Sequence, residues 1–185
     1  MRMPRTRAIP PDQTRRFLEP GPVVLLSTAA KGERGIMTLG WHMMLGYDLV
    51  GTYIDPGNRS HALARAGREC VINLPTADLL DTVVRIGNCS SAEGDKFDRF
   101  GLTALESHAV AAPGIGECHA RFECRLQETR ITADYPLFVW RVVAAHAATR
   151  PKWPRTLHYR GDGRFMVSGD ERSRRALFTP EMLEA

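Results

Sequence analysis

The chain has 185 residues, of which 43% are hydrophobic and 25% charged, and its formal net charge is +4. That length suits one domain with a sizeable core, and that composition is the ordinary one of a soluble globular protein. The longest apolar run, Val23 to Leu26 with a small-residue extension to Ala30, is too short to span a bilayer, and the four cysteines form no CxxC pair, which argues against a zinc ribbon.

The positive charge is uneven. Arg2, Arg5, Arg7, Arg15 and Arg16 crowd one end, and Arg150, Lys152, Arg155, Arg160, Arg164, Arg172, Arg174 and Arg175 the other. Such clusters are one signature of nucleic-acid binding, but no aromatic-interleaved pattern or helix-turn-helix accompanies them. They read as solvated ends that help attract a phosphorylated ligand. Neither nucleic acid nor a membrane is the expected partner. No apolar stretch of signal-peptide type is evident near the start. Cys118 and Cys124, placed on one strand, would stand roughly 20 Å apart, beyond disulfide reach. The expected compartment is a reducing cytoplasm.

Residues 1–19 read as an N-terminal arm, mobile or draped over 1–11, with Asp12 placed to cap a short turn leading to Arg15, Arg16 and Phe17. Glu19-Pro20-Gly21-Pro22 is a turn cluster. Val23 to Thr28 is a β run, Lys31 to Gly35 the hairpin turn after it, and Ile36 to Leu45 a second strand. Leu49 to Ile54 is a third strand, ended at Asp55-Pro56-Gly57-Asn58, where Pro presets φ and Gly or Asn accepts a positive one. Ser60 is placed to cap a short helix from His61 to Ala66, which Gly67 stops. Glu69 to Leu74 is a fourth strand.

A helix beginning at Thr76 or Asp78 runs with amphipathic spacing through Leu79, Leu80, Val83, Val84 and Ile86 to Gly87. Asn88 to Gly94 is a small-residue loop. Asp95 to Phe100 makes one or two helical turns closed by Gly101, and Ala111 to Ile115 is an extended or turn segment. From Cys118 to Leu126 apolar and polar residues alternate, the mark of a half-buried antiparallel strand. Leu137 to Ala145 is another strand. Leu157 to Arg160 and Arg164 to Val167 flank a Gly161-Asp162-Gly163 turn. Many short strands with tight turns and few helices predict a mainly β fold, a closed antiparallel barrel with added helices. The barrel is expected over residues 20–167 and a tail over 168–185.

No GxGxxG, Walker A, GxSxG or HExxH motif is present, and the six histidines show no metal-ligand spacing. Cys70 sits in an apolar run and reads as a buried small hydrophobe. A hydrolase of Ser–His or Cys–His type has little support. Two features point towards a ligand. Gly35 to Trp41 offers backbone with little side chain in front of it, then a wide aromatic face. Alone, it also fits a buried strand whose Met and Trp fill a core. Asn58-Arg59-Ser60 places a forked cation and a hydroxyl at a helix N-terminus, which is a phosphate site in the making. Plain capping beside a solvated Arg is its alternative.

The order of these features resembles the flavin reductase-like, FMN-binding split-barrel family, and within it the flavoredoxin branch. The likeness rests on Gly-Ile-Met-Thr-Leu-Gly-Trp (35–41), Asn-Arg-Ser (58–60), Cys-Val-Ile-Asn-Leu-Pro (70–75), Asp-Lys-Phe (95–97), Ala112-Pro113 and Glu123-Cys124, and spans roughly residues 20–160. It implies that Met37, Thr38, Leu39, Gly40 and Trp41 line the isoalloxazine ring of FMN. It assigns Arg59 and Ser60 to the phosphate and brings Asn73 and Lys96 near the site. It sets His158 at the mouth, as a substrate-side residue. It also implies a homodimer that takes electrons from NAD(P)H or from a protein donor, either as a flavin reductase or as a non-enzymatic electron carrier. No protein nucleophile or general base is required. Two departures stand out: Gly35 where many relatives have Asn, and Glu93 in a loop where relatives often carry a cation.

Overall fold

Four consecutive apolar residues, Val23 to Leu26, are explained by chain covered on both faces. In the computed structural model, which describes residues 3–128 and 135–183, Val24 and Leu26 enter one buried cluster and Val23 and Leu25 another. Successive side chains point to opposite faces, so no polar face remains to show alternation. Met1 and Arg2 at the tip of the expected arm, and the last two residues of the expected tail, lie outside the described residues.

The main sheet has eight strands: β1 (Thr6–Ile9), β2 (Val24–Ala30), β3 (Glu33–Leu39), β4 (His42–Met44), β5 (Leu49–Tyr53), β6 (Glu69–Leu74), β9 (Ala120–Glu128) and β10 (Leu137–Ala148). Two short pairs stand apart, β7 (Ala104–Leu105) with β8 (Gly114–Ile115), and β11 (Leu157–Gly161) with β12 (Arg164–Val167). The sheet order is β3-β2-β6-β9-β10-β5-β4, with β1 added on β10. β3 and β4 therefore lie at opposite ends of the sheet, yet only Gly40 and Trp41 separate them in the chain. Three Cα steps cover at most about 11 Å. The sheet must curl until its two ends nearly meet, which makes a split barrel with Gly40–Trp41 across the seam. The single strand expected over Ile36–Leu45 is thus two strands on opposite edges.

The barrel interior holds Leu26, Ile72, Phe122 and Trp140, and α1 (Arg15–Leu18) adds Phe17 and Leu18. Trp140 satisfies its buried N–H on Thr52 Oγ1 at 2.8 Å. On the outer face of β2 and β3, α3 (Leu80–Gly87) and α4 (Lys96–Phe100) bury Val83, Ile86 and Phe97 against Leu25 and Ile36. Asp95 caps α4, its carboxylate accepting from Phe97 N at 2.7 Å. The helix α2 (Arg59–Gly67) lies on β2 so closely that a Cβ on Gly67 would stand 2.3 Å from the Ala29 carbonyl oxygen. Gly67 is therefore the last helical residue and not a stop beyond it; Arg68, at φ +57°, makes the turn out.

The first residues are a strand rather than a loose arm along Thr6–Ile9, paired with Ala145–Ala148 of β10. Cys118 lies just ahead of β9 and not within it, and all four cysteines are free thiols. Among the described residues no helix is long and apolar enough to cross a membrane.

Candidate functional site

The tight turn before α2 sets the first wall of the site. Asp55 Oδ1 accepts from Gly57 N at 2.8 Å, closing an Asx-type turn. The helix then begins at Arg59 with Asn58 as its N-cap, and no side chain accepts from its first N–H groups. The expectation that Ser60 caps the helix is corrected here: Ser60 is inside the first turn. A cleft of about 510 Å³ opens at this end, bordered by Gly57, Asn58, Arg59 and Ser60. An uncapped helix N-terminus with free N–H groups carries partial positive charge. Ser60 is buried, and the Arg59 guanidinium donates to a Glu33 carboxylate oxygen on the neighbouring hairpin.

The opposite wall is the C-terminal end of α3 and the loop after it, Ile86 to Ser91, with Glu93 and Lys96. β3 supplies Met37 and Thr38 between the two walls. The Thr38 hydroxyl donates to Val83 O at 2.6 Å. Gly87 faces Thr38 closely: a Cβ there would be in van der Waals contact, 3.4 Å from the Thr38 Cβ. Lys96 is buried, and its ammonium donates to Ile86 O at 2.9 Å. There it complements the negative end of α3. Burial pushes its pKa below the ordinary lysine value, with Cys89 and Glu93 acting in the opposite sense.

Both departures from the family pattern have a local structural use. Gly35 is tightly enclosed: a Cβ would sit 3.0 Å from Ser91 Oγ and 3.1 Å from Leu63 Cδ1, so those side chains would have to give way. Glu93 completes a capping box with Ser90 and pairs with Arg99 at 3.3 Å. A larger cleft of about 920 Å³ adjoins the first, sharing Arg59 and Ser91 with it. Arg34 and Asp95 line this larger cleft, 2.5 Å apart.

The structure brings together five of the residues singled out from the sequence: Met37, Thr38, Arg59, Ser60 and Lys96. It separates the others. Leu39 is buried in the barrel core, and Gly40 crosses the seam. Trp41 is 72% exposed and stands edge-on to Tyr53 at 5.3 Å. Asn73 is fully buried with its polar atoms engaged. Its amide nitrogen lies 3.0 Å from Leu25 O, Ser27 Oγ and Val71 O, and its oxygen accepts from Ile115 N at 2.8 Å. It pins β8 against β6 instead of lining the cleft. His158 borders a separate cleft. Its Nδ1 faces Gly21 O at 3.1 Å, so that nitrogen carries the proton and Nε2 accepts from the Thr156 hydroxyl at 2.9 Å.

Gly87, Asn88, Cys89, Ser90 and Ser91 line the site without having been singled out. The small-residue composition of residues 88–94 was their only sequence signal. Glu33, the partner of Arg59, had none. Among the described residues no cluster of His, Cys, Asp and Glu is placed to hold a metal ion. The arrangement can bind an anion: unpaired helix N–H groups, a hydroxyl and a guanidinium meet in one cleft.

Comparison with known proteins gives a consistent picture. The model of the flavin reductase like domain matches residues 15–166. An uncharacterised protein of Archaeoglobus fulgidus is 34% identical over 110 residues, covering 58% of this chain and 62% of that protein, so the chain spans less than two thirds of its length. Among solved structures, the FMN-binding domain of a flavin reductases-like enzyme from Shewanella baltica superposes with a TM-score of 0.85 at 23% identity, covering 94% of this chain and 99% of the other. Flavoredoxin of Desulfovibrio vulgaris gives 0.75 at 17% identity, covering 84% and 90%. At these identities the structural matches speak for the fold.

Proposed function

The chain belongs to the flavin reductase-like domain family, and from that premise we propose that it binds FMN in the cleft between α2 and α3 and passes reducing equivalents from NAD(P)H to the flavin. The observation that supports FMN most is the uncapped N-terminus of α2, which meets Arg59, Ser60, Met37, Thr38 and Lys96 in one cleft. Free N–H groups, a hydroxyl and a guanidinium suit a phosphate. Met37 and Thr38 line the cleft between its two walls, and the anchored Lys96 ammonium adds positive charge. The Shewanella baltica relative is described as FMN-binding. Bound flavin supplies the redox chemistry, while the protein binds it, orients it and sets the charge around it. Arg59 is the adjustable part, since it must leave or share Glu33 to meet a phosphate. Oxidation of NADH or NADPH in the presence of FMN, followed at the nicotinamide absorbance, tests the reductase reading. No turnover with either donor would overturn it.

A second reading, an FMN electron carrier reduced by a protein, is favoured by one observation. Trp41, Met43 and Leu45 are exposed along the seam and the edge strand β4, directly after the cleft wall. An apolar edge of this kind suits a protein contact. This reading expects FMN to survive dialysis and to exchange electrons with a partner protein; free exchange of FMN during turnover would count against it. A homodimer is proposed as well, supported by the family resemblance. Light scattering reports it directly, and a monomeric mass would refute it.

A further inference from the structure

A second cleft, of about 630 Å³, shares no lining residue with the flavin-side cleft. It opens where α1 meets residues 151–158 and the chain just after β12. One side is aromatic: the rings of Phe17 and Trp153 lie 5.2 Å apart at 56°. Its rim is cationic, carrying Arg16, Lys152 and Arg155 against a single carboxylate, Glu171. The Lys152 ammonium stands 5.3 Å from the centre of the Trp153 ring. A smaller hollow of about 200 Å³ shares Arg16, Phe17, Lys152 and Trp153 and adds Arg7.

The other polar groups of this cleft are already committed. His158 Nδ1 donates to Gly21 O and its Nε2 accepts from the Thr156 hydroxyl, and Ser168 Oγ accepts from Thr156 N at 2.8 Å. Among the described residues, Arg16, Lys152 and Arg155 have no carboxylate within ion-pair distance. Three free cations beside an aromatic wall are complementary to a ligand with a planar ring and a negative charge. Arg forks match carboxylate and phosphate alike, and they stack on rings.

We propose that this cleft binds an aromatic anion, its ring against Trp153 and its carboxylate or phosphate between Arg16 and Arg155. The site is distinct from the flavin cleft and does not depend on the flavin reading. The test is calorimetric titration of the whole protein with benzoate and with AMP, using benzyl alcohol and adenosine as uncharged controls. Saturable binding of either anion is expected, absent for the controls and weakening as salt is raised. Benzoate binding identifies a carboxylate ligand and AMP binding a phosphate one. Arg16→Ala and Arg155→Ala should each weaken the bound anion by about tenfold or more, and Trp153→Leu should weaken it too. FMN titration of the same variants should match the parent, which shows them folded and keeps the two clefts separate. The proposal is overturned if neither anion binds, if the controls bind equally well, or if the variants bind the anion like the parent. It is also overturned if Arg16→Ala or Arg155→Ala removes FMN binding. Failure of the parent to bind FMN would refute the flavin reading alone and leave the anion titration as decisive as before.

Discussion

Thr38→Val separates a structural hydroxyl from a ligand-binding one. The hydroxyl has one proton, and it goes to Val83 O across 2.6 Å. It therefore has none to donate to a bound flavin. Valine keeps the shape and removes the donor. A hydrogen bond of this partly buried kind contributes about 0.5–1.5 kcal/mol net. In a chain of 185 residues each kcal/mol moves the melting midpoint by about 2–4 °C, so a fall of about 1–6 °C is expected. FMN affinity should change by less than about threefold, or about 0.7 kcal/mol. Thermal melting and an FMN fluorescence titration read the two quantities separately. A tenfold loss of affinity with an unchanged midpoint would refute the reasoning, because the hydroxyl would then be serving the ligand and not α3.

Four other changes have definite expectations. Arg59→Ala should weaken FMN by about tenfold or more while leaving riboflavin, which lacks the phosphate, unaffected; Glu33→Gln should tighten FMN by releasing Arg59 from its ion pair, as equilibrium titration would report. Gly35→Asn, the residue of many relatives, should cost about 1–3 kcal/mol by overpacking, since its Cβ meets Ser91 and Leu63 at 3.0 and 3.1 Å; an unchanged denaturation midpoint would contradict this. His42 has its pKa lowered from 6.5 chiefly by burial, against the smaller raising effect of its bond to Pro22 O. Folded protein then binds fewer protons than unfolded protein on acidification, so the stability from this group is full above pH 6.5 and falls as pH drops through the folded value. His42→Gln should flatten that acid slope in pH-dependent melting.

The parts of the fold legible in the sequence are those set by local rules. The β6 strand matches its expected limits, Glu69–Leu74, because a β-branched, apolar run ends at Pro75. The β11–β12 turn follows from Gly161-Asp162-Gly163, where all three residues take positive φ. The misses are tertiary. Gly40–Trp41 looks like continuing strand locally, and only the curl of the sheet shows that the chain passes from one edge to the other there. β1 is four residues whose partner lies some 140 positions away in β10, and no periodicity announces that. Ser60 is a good cap by residue type, but Asn58 is the N-cap and starts the helix two residues earlier than that role allows. Asn73 is a polar residue in a strand buried on both faces, and a sequence cannot say whether it faces a ligand or a partner. The partner, Ile115 N, comes from 42 positions on. His158 presents the same ambiguity: its ring meets Gly21 O and the Thr156 hydroxyl while it borders a cleft of its own. Of the candidate site, the sequence showed the placement of Arg59 and Ser60 at the start of a helix, where both border a cleft. Its far wall, from Gly87 to Ser91, follows the end of α3 and carries no residue type that announces a ligand.

The most direct test is a parallel titration of FMN and riboflavin into the dialysed protein, followed by flavin absorbance and fluorescence. A phosphate held at the start of α2 predicts one FMN bound per chain, and riboflavin bound about tenfold more weakly or worse. Equal affinity for the two flavins, or no binding of FMN, would contradict it.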